Sequence, residues 1–171
     1  MAKLWIGQAA APQERDRILH KLLSDFFCVP EAALILRRPN GGKPFFEKAD
    51  GCHFNVSYSG EWMAIAASDQ EIGVDIERRR GILTGALRRC FTEREQDYVQ
   101  GDERRFFELW TRKEAYVKHS GQGLKLDLRQ VCPLSGERAA DANWHTLWMG
   151  DLCISVYGRH IFPFTVASFA V

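Results

Sequence analysis

The ten residues "EIGVDIERRR", 71 to 80, set two acids inside an apolar run. Read as a strand, their period of two sends Val74 and Ile76 to one face and Asp75 and Glu77 to the other, with the acids' Cα atoms about 6.5 to 7 Å apart. Other apolar segments, such as "WMAIAA" at 62–67, carry no acid. Two like charges side by side at the end of a core strand need something to offset their repulsion, and the rest of the chain must supply it.

Upstream of this strand, "LWIGQA" reads as a first strand. Pro12 then opens a helix, "PQERDRILHKLLSDFF", whose Ile18, Leu19, Leu22, Leu23 and Phe26 recur at helical spacing. "AALILRR" reads as a strand, "PNGG" as a turn leading into "GKPFFEKADG", and "HFNVSYS" and "WMAIAASD" as two β segments joined by Gly60 and Glu61. Downstream, residues 82 to 120 read as helical. A short helix lies around "LTGALRRC", Thr92 with Glu95 three residues on gives a start signal, and a long helix through "DERRFFELWTRKEAYVKHS" ends at Gly121. "WHTLWM", "LCISVYG" and "FTVASFAV" are three final β segments. This order predicts an α+β fold with an N-terminal half, 1–73, and a C-terminal half, 74–171, and no sequence repeat marks a duplication.

Composition narrows the function. With 171 residues and 46% hydrophobic residues the chain has ample material for a core, and 23 Lys and Arg against 22 Asp and Glu leave no global polycation for nucleic acid. The aromatic residues sit at core spacing, not among the basic ones, so nucleic-acid binding is not expected. Five cysteines with no CxxC pair predict reduced, mostly buried thiols in a cytoplasmic protein. The N-terminal apolar run is too short and too interrupted for a signal peptide, and no stretch reaches the roughly 20 apolar residues of a membrane span. From Arg78 to Lys118 eleven Lys or Arg face seven Asp or Glu, a local excess that suits an acidic partner or equally a solvated basic face.

The long helix answers the strand. Phe106, Leu109, Trp110, Lys113 and Val117 share a mainly apolar face, whereas Phe107, Thr111, Glu114 and Lys118 share another. Glu114 and Lys118 stand one turn apart, which in an ordinary helix would be a surface pair worth about 0.2 to 0.5 kcal/mol. Taken with Asp75 and Glu77, however, Glu114 makes three carboxylates, the hard oxygen donors that Mg²⁺ takes when it also binds phosphates. Lys118 adds a cation for a diphosphate. A phosphate-bearing substrate is expected.

These residues resemble the 4'-phosphopantetheinyl transferases of the surfactin-synthetase-activating type. The resemblance rests on "GKP" at 42–44, "FNVSYSG" at 54–60, "GVDIE" at 73–77 and "WTRKEAYVKHSGQGL" at 110–124, in that order, and covers roughly Pro12 to Leu128. It implies two similar halves forming a pseudo-dimer within one chain, with the active site in the cleft between them. It also implies transfer of the 4'-phosphopantetheine arm of coenzyme A to a serine of an apo acyl or peptidyl carrier protein, with release of adenosine 3',5'-bisphosphate, by a monomeric enzyme.

Residue by residue, the resemblance implies that Asp75, Glu77 and Glu114 hold Mg²⁺, that Glu114 is also the general base, and that Lys118 contacts the diphosphate and protonates the leaving phosphate. Lys43 and Ser57 would line the nucleotide and 3'-phosphate pocket, and Arg17 would match an arginine of the first helix. A turn lysine, a strand serine and a solvated helix arginine are the plain alternatives. Tyr58 stands where the family usually has a histidine and supplies no positive charge near neutral pH. With only 16 residues ahead of Arg17, some coenzyme A contacts of the family's longer members are expected to be missing or replaced. A non-catalytic member that binds coenzyme A or the carrier is the alternative function. A metal-dependent phosphohydrolase would share the carboxylates but has no use for "GKP" and "KHSGQGL".

Overall fold

The computed structural model describes residues 1–39, 42–47, 49–121, 123, 126–134, 144–159 and 164–169. Strand β1 (Ala2–Gln8) leads into helix α1 (Pro12–Phe27), which starts with Pro at its first turn, where no amide hydrogen bond is lost, and ends at Cys28 in the left-handed conformation. A 3₁₀ turn at Glu31–Ala33 precedes the short hairpin of β2 (Ile35–Arg37) and β3 (Phe45–Glu47). The strand expected over "AALILRR" is thus shortened to three residues, because its first part turns after Pro30, and Phe45–Glu47 is a strand that the sequence reading lacked. The turn expected at "PNGG" falls partly on residues outside the described ones.

Strands β4 (His53–Ser59), β5 (Trp62–Ser68) and β6 (Ile72–Arg78) follow, then α2 (Thr84–Cys90), α3 (Glu93–Val99) and α4 (Glu103–Ser120). Thr92 and Glu95 close a capping box at the start of α3, Asp102 caps α4, and Gly121 ends it at positive φ. Strands β7 (Trp144–Met149), β8 (Leu152–Gly158) and β9 (Phe164–Phe169) complete the order.

Among the described residues, nine strands form two main sheets and the small hairpin. One sheet runs β4-β5-β1-β9, with β9 parallel to β1, and the other runs β6-β8-β7. Alternation along the strands splits the apolar residues between faces. Leu4, Ile6, Ala64 and Ala66 of the first sheet share one cluster with Val74, Ile76, Ile154 and Val156 of the second. The opposite face of the first sheet, with Trp5, Met63 and Ile65, packs on Leu19 and Leu23 of α1. On the far face of the second sheet, Cys153 packs with Phe106, Phe107 and Leu109 of α4. Each fully buried Leu, Ile or Phe contributes about 1.5 to 3 kcal/mol, so this partition fixes which face of β6 meets α4.

All five cysteines are free, but only Cys153 is buried and Cys90 packs partly buried beside the same cluster; Cys28 and Cys132 are exposed, so the thiols are not mostly buried. No helix among the described residues is long and apolar enough to cross a membrane.

Strand β6 approaches α4 closely at Gly73. A Cβ there would overlap the Ala115 carbonyl oxygen and stand 2.6 Å from the His119 amide nitrogen, both of them backbone atoms that have little room to yield. Gly73→Ala therefore forces strand and helix apart, and we expect a loss of about 1 to 3 kcal/mol of stability, read as a lower urea midpoint at unchanged m.

Candidate functional site

The two sheets meet along β4 and β6, and there the contacts are made by side chains. Asn55 Oδ1 accepts from the Val74 amide at 3.0 Å, Ser59 Oγ accepts from the Arg78 amide at 2.9 Å, and between them Ser57 Oγ donates to Asp75 Oδ1 at 2.8 Å. Lys118 reaches this point from α4, its Nζ 2.7 Å from both Ser57 Oγ and Asp75 Oδ1. The cation expected near the strand acids is therefore in place, and its partner is Asp75 across the seam. Asp75 is 4% exposed, and such a carboxylate is tolerated only with a partner of this kind.

Glu114 and Glu77 complete the acidic group. Burial, then Asp75 and Glu77, push the Glu114 carboxyl up to about 7 against the pull of Lys118. Burial and Asp75 likewise raise Glu77, which Arg80 partly offsets. The three carboxylates thus share one electrostatic site. Among the described residues, no group of three or more His, Cys, Asp or Glu side chains is arranged to hold a metal ion. The donor chemistry nevertheless fits Mg²⁺. These are hard oxygens at a site of excess negative charge, and Asp75 Oδ2 is buried with no hydrogen-bond partner among the described residues.

Two cavities meet at Lys118. One, of about 210 Å³, is lined by Lys43 and Pro44 from the loop before β3, by Asn55 and Val56 of β4, and by Val117 and Lys118. The other, of about 560 Å³, is lined by Glu114, Val117 and Lys118 together with Cys90, Leu126 and Leu128. Lys43, distant in sequence from Glu114 and Lys118, is brought to one region with them.

Arg17 and Tyr58 are placed elsewhere. Residues 54, 56 and 58 of β4 point to the α1 side, opposite to Ser57, and Tyr58 is exposed there. Arg17 is exposed on α1 and lines neither cavity. Arg15 is the α1 arginine beside Tyr58: its guanidinium lies 4.5 Å from the ring centroid and bonds the Ala9 and Gly60 carbonyls. Burial raises the Tyr58 phenol, while Arg38 and Arg15 pull it down. The sequence offered Arg15 and Arg17 two positions apart, and helical phase alone did not separate them.

Sequence reasoning also left Lys113 without a role. It is fully buried, 2.8 Å from Glu95, and donates to the carbonyls of Leu128 and Val131 at 2.8 and 2.6 Å. It anchors the segment that walls the larger cavity. A lysine at an apolar helical phase beside a capping-box glutamate was the available signal.

Residues 71–153 match the family "4'-phosphopantetheinyl transferase superfamily". The chain is 34% identical over 118 residues to 4'-phosphopantetheinyl transferase gsp of Aneurinibacillus migulanus, covering 66% of this chain and 49% of that one. It is 30% identical over 118 residues to 4'-phosphopantetheinyl transferase Sfp of Bacillus subtilis (strain 168), covering 66% and 53%. With the L-aminoadipate-semialdehyde dehydrogenase-phosphopantetheinyl transferase of Xenopus laevis it shares 29% over 149 residues, 75% and 49% of the two chains. Over residues 71–153 the chain is thus similar to the 4'-phosphopantetheinyl transferase superfamily, and it spans about half the length of the curated relatives it matches.

The raised Glu114 carboxyl has a thermodynamic signature. Its folded value, about 7, lies above the ordinary 4.5, so between the two the folded state holds a proton that the unfolded chain releases. The stability this contributes is full below the lower value and lost as pH rises through the upper one. In metal-free buffer, Tm should therefore decline more steeply from about pH 5 to 7.5 in the wild type than in Glu114→Gln, as differential scanning fluorimetry would record. Equal slopes would mean that Glu114 titrates as if in water.

Proposed function

We propose that this protein transfers the 4'-phosphopantetheine arm of coenzyme A to a serine of an apo acyl or peptidyl carrier protein, releasing adenosine 3',5'-bisphosphate. The observation that carries this reading is the junction of Lys118 with Asp75 and Ser57 where the two cavities meet, close to the raised carboxyl of Glu114. Similarity to proteins named as phosphopantetheinyl transferases supports it.

Mg²⁺, held by Asp75, Glu77 and Glu114, would neutralise the coenzyme A diphosphate and the charge that develops on it. The residues of the chain divide the remaining work. Glu114, with a carboxyl that changes charge near neutral pH, accepts the serine proton directly or through water as the serine oxygen bonds to the phosphorus bearing the pantetheine arm. Lys118 donates to the diphosphate and delivers a proton to the departing 5'-phosphate. Lys43 lines the pocket for the nucleotide and its 3'-phosphate, and Ser57 holds Lys118 in the wall of that pocket. Tyr58, with Arg15 and Arg38 beside it, offers cations on the α1 side in place of a charged ring. Arg17 remains a candidate substrate contact only if the bound nucleotide reaches the exposed face of α1.

The two halves, 1–73 and 74–171, are read as a pseudo-dimer with the site in the cleft between them. In support, each main sheet carries a helix on its outer face and the sheets share an inner core; β9, from the second half, departs from this division by pairing with β1 in the first sheet. We place the enzyme in the cytoplasm as a monomer.

Mass spectrometry of apo carrier proteins incubated with the protein, coenzyme A and Mg²⁺ tests the reading. The expected result is a carrier heavier by one phosphopantetheine, with Asp75→Ala inactive. In Lys118→Ala, kcat/KM should fall at least about tenfold, equivalent to about 1.4 kcal/mol of transition-state stabilisation. A carrier that binds but is never modified would instead identify a non-catalytic binding protein.

A further inference from the structure

Lys43 is held by a residue outside the catalytic group. It stands in the wall between the cavity of about 210 Å³ that also contains Lys118 and a smaller one of about 160 Å³ lined by His53 and Glu71. Its Nζ donates to Glu71 Oε2 at 2.6 Å and to the Ile72 carbonyl at 2.9 Å. Only 17% of the Lys43 side chain is exposed, against 53% for Glu71. The other Glu71 oxygen lies 3.0 Å from His53 Nδ1 at the start of β4. Glu71 immediately precedes β6, so one carboxylate ties the "GKP" loop to both β4 and the strand that carries Asp75.

An ammonium has three N–H donors in tetrahedral array. Two of those on Lys43 are spent on Glu71 and Ile72, which fixes the direction of the third. A lysine with its stem packed and two donors committed has lost its rotamer freedom before a ligand arrives, and that loss is no longer charged against binding. Glu71 itself lines only the smaller cavity and is absent from the walls of the two cavities that meet at Lys118, so it acts through Lys43.

We propose that Glu71 is a positioning residue that orients the Lys43 ammonium for a phosphate of the nucleotide ligand in the neighbouring cavity. This rests on the functional reading above, which makes that ligand coenzyme A. Glu71 is half exposed, so the ion pair adds little to folding, and the effect appears in ligand affinity and leaves stability nearly unchanged.

A double-mutant cycle tests the inference: wild type, Glu71→Ala, Lys43→Ala and the double variant, with coenzyme A affinity from calorimetry and kcat and KM from carrier loading. We expect Glu71→Ala to raise Kd and KM for coenzyme A about fivefold with kcat within about twofold, the pattern of lost uniform binding. Lys43→Ala should raise them further, and adding Glu71→Ala to Lys43→Ala should change nothing more, because the two residues act as one unit. Glu71→Gln, whose amide oxygen can still accept from Lys43, should stay within about twofold of the wild type. Additive effects, a fall in kcat at constant KM, or a Glu71→Gln variant as impaired as Glu71→Ala would overturn the positioning role and leave the functional reading intact. A wild type that neither binds coenzyme A nor loads a carrier would overturn both.

Discussion

One ammonium group joins three separate pieces of chain. Lys118 comes from the last turn of α4, Ser57 from an edge strand of the first sheet and Asp75 from an edge strand of the second, and no backbone ladder joins those two edges. The seam depends instead on short polar side chains, with Asn55 and Ser59 bracketing the Ser57–Asp75 bond. Side chains that must stay small and polar there have conformational requirements quite unlike those of the aliphatic cluster beside them. Gly73 sets the height of the helix above the strand, and so the reach that Lys118 must span. Function and architecture draw on the same few atoms.

Helix α4 carries two lysines with different duties. Lys113, on the face toward Phe91 and Glu95, is enclosed and holds the 128–131 segment by its carbonyls, whereas the Lys118 side chain stays 29% exposed at the cavities. Five residues put them on different sides of the helix. Burial lowers the Lys113 ammonium and the Glu95 carboxylate offsets this only in part, so Lys113 is suited to holding a wall in place and Lys118 to meeting a ligand.

The sequence was most informative where period and spacing were strong. The split of β6 into Val74 and Ile76 on one side and Asp75 and Glu77 on the other follows from strand geometry, and the phase of Glu114 and Lys118 from helix geometry. The capping box at Thr92 and Glu95 was legible for the same reason. What it did not show is which charged group meets which. Lys118 read equally well as a partner for Glu114 one turn away, and only the approach of β6 to α4 selects Asp75. Arg15 and Glu71 were unreadable as contacts because their partners, Tyr58 and Lys43, lie 43 and 28 positions away in the chain. The thiols were misjudged by composition, since two of the five face solvent. Strand β3 is three residues long, too short for a pattern.

The register of β9 links the far ends of the described chain. Ala2 pairs with Phe164 and Gly7 with Phe169, in parallel, at separations of roughly 160 residues. While this chain is being synthesised, β1 therefore leaves the ribosome long before β9 and keeps one edge open until the segment between them has been made. Until then its free N–H and C=O groups are a template for any extended segment nearby. Closing so large a loop is entropically costly and comes late, so the edge of β1 that β9 covers is among the last parts of the first sheet to be paired.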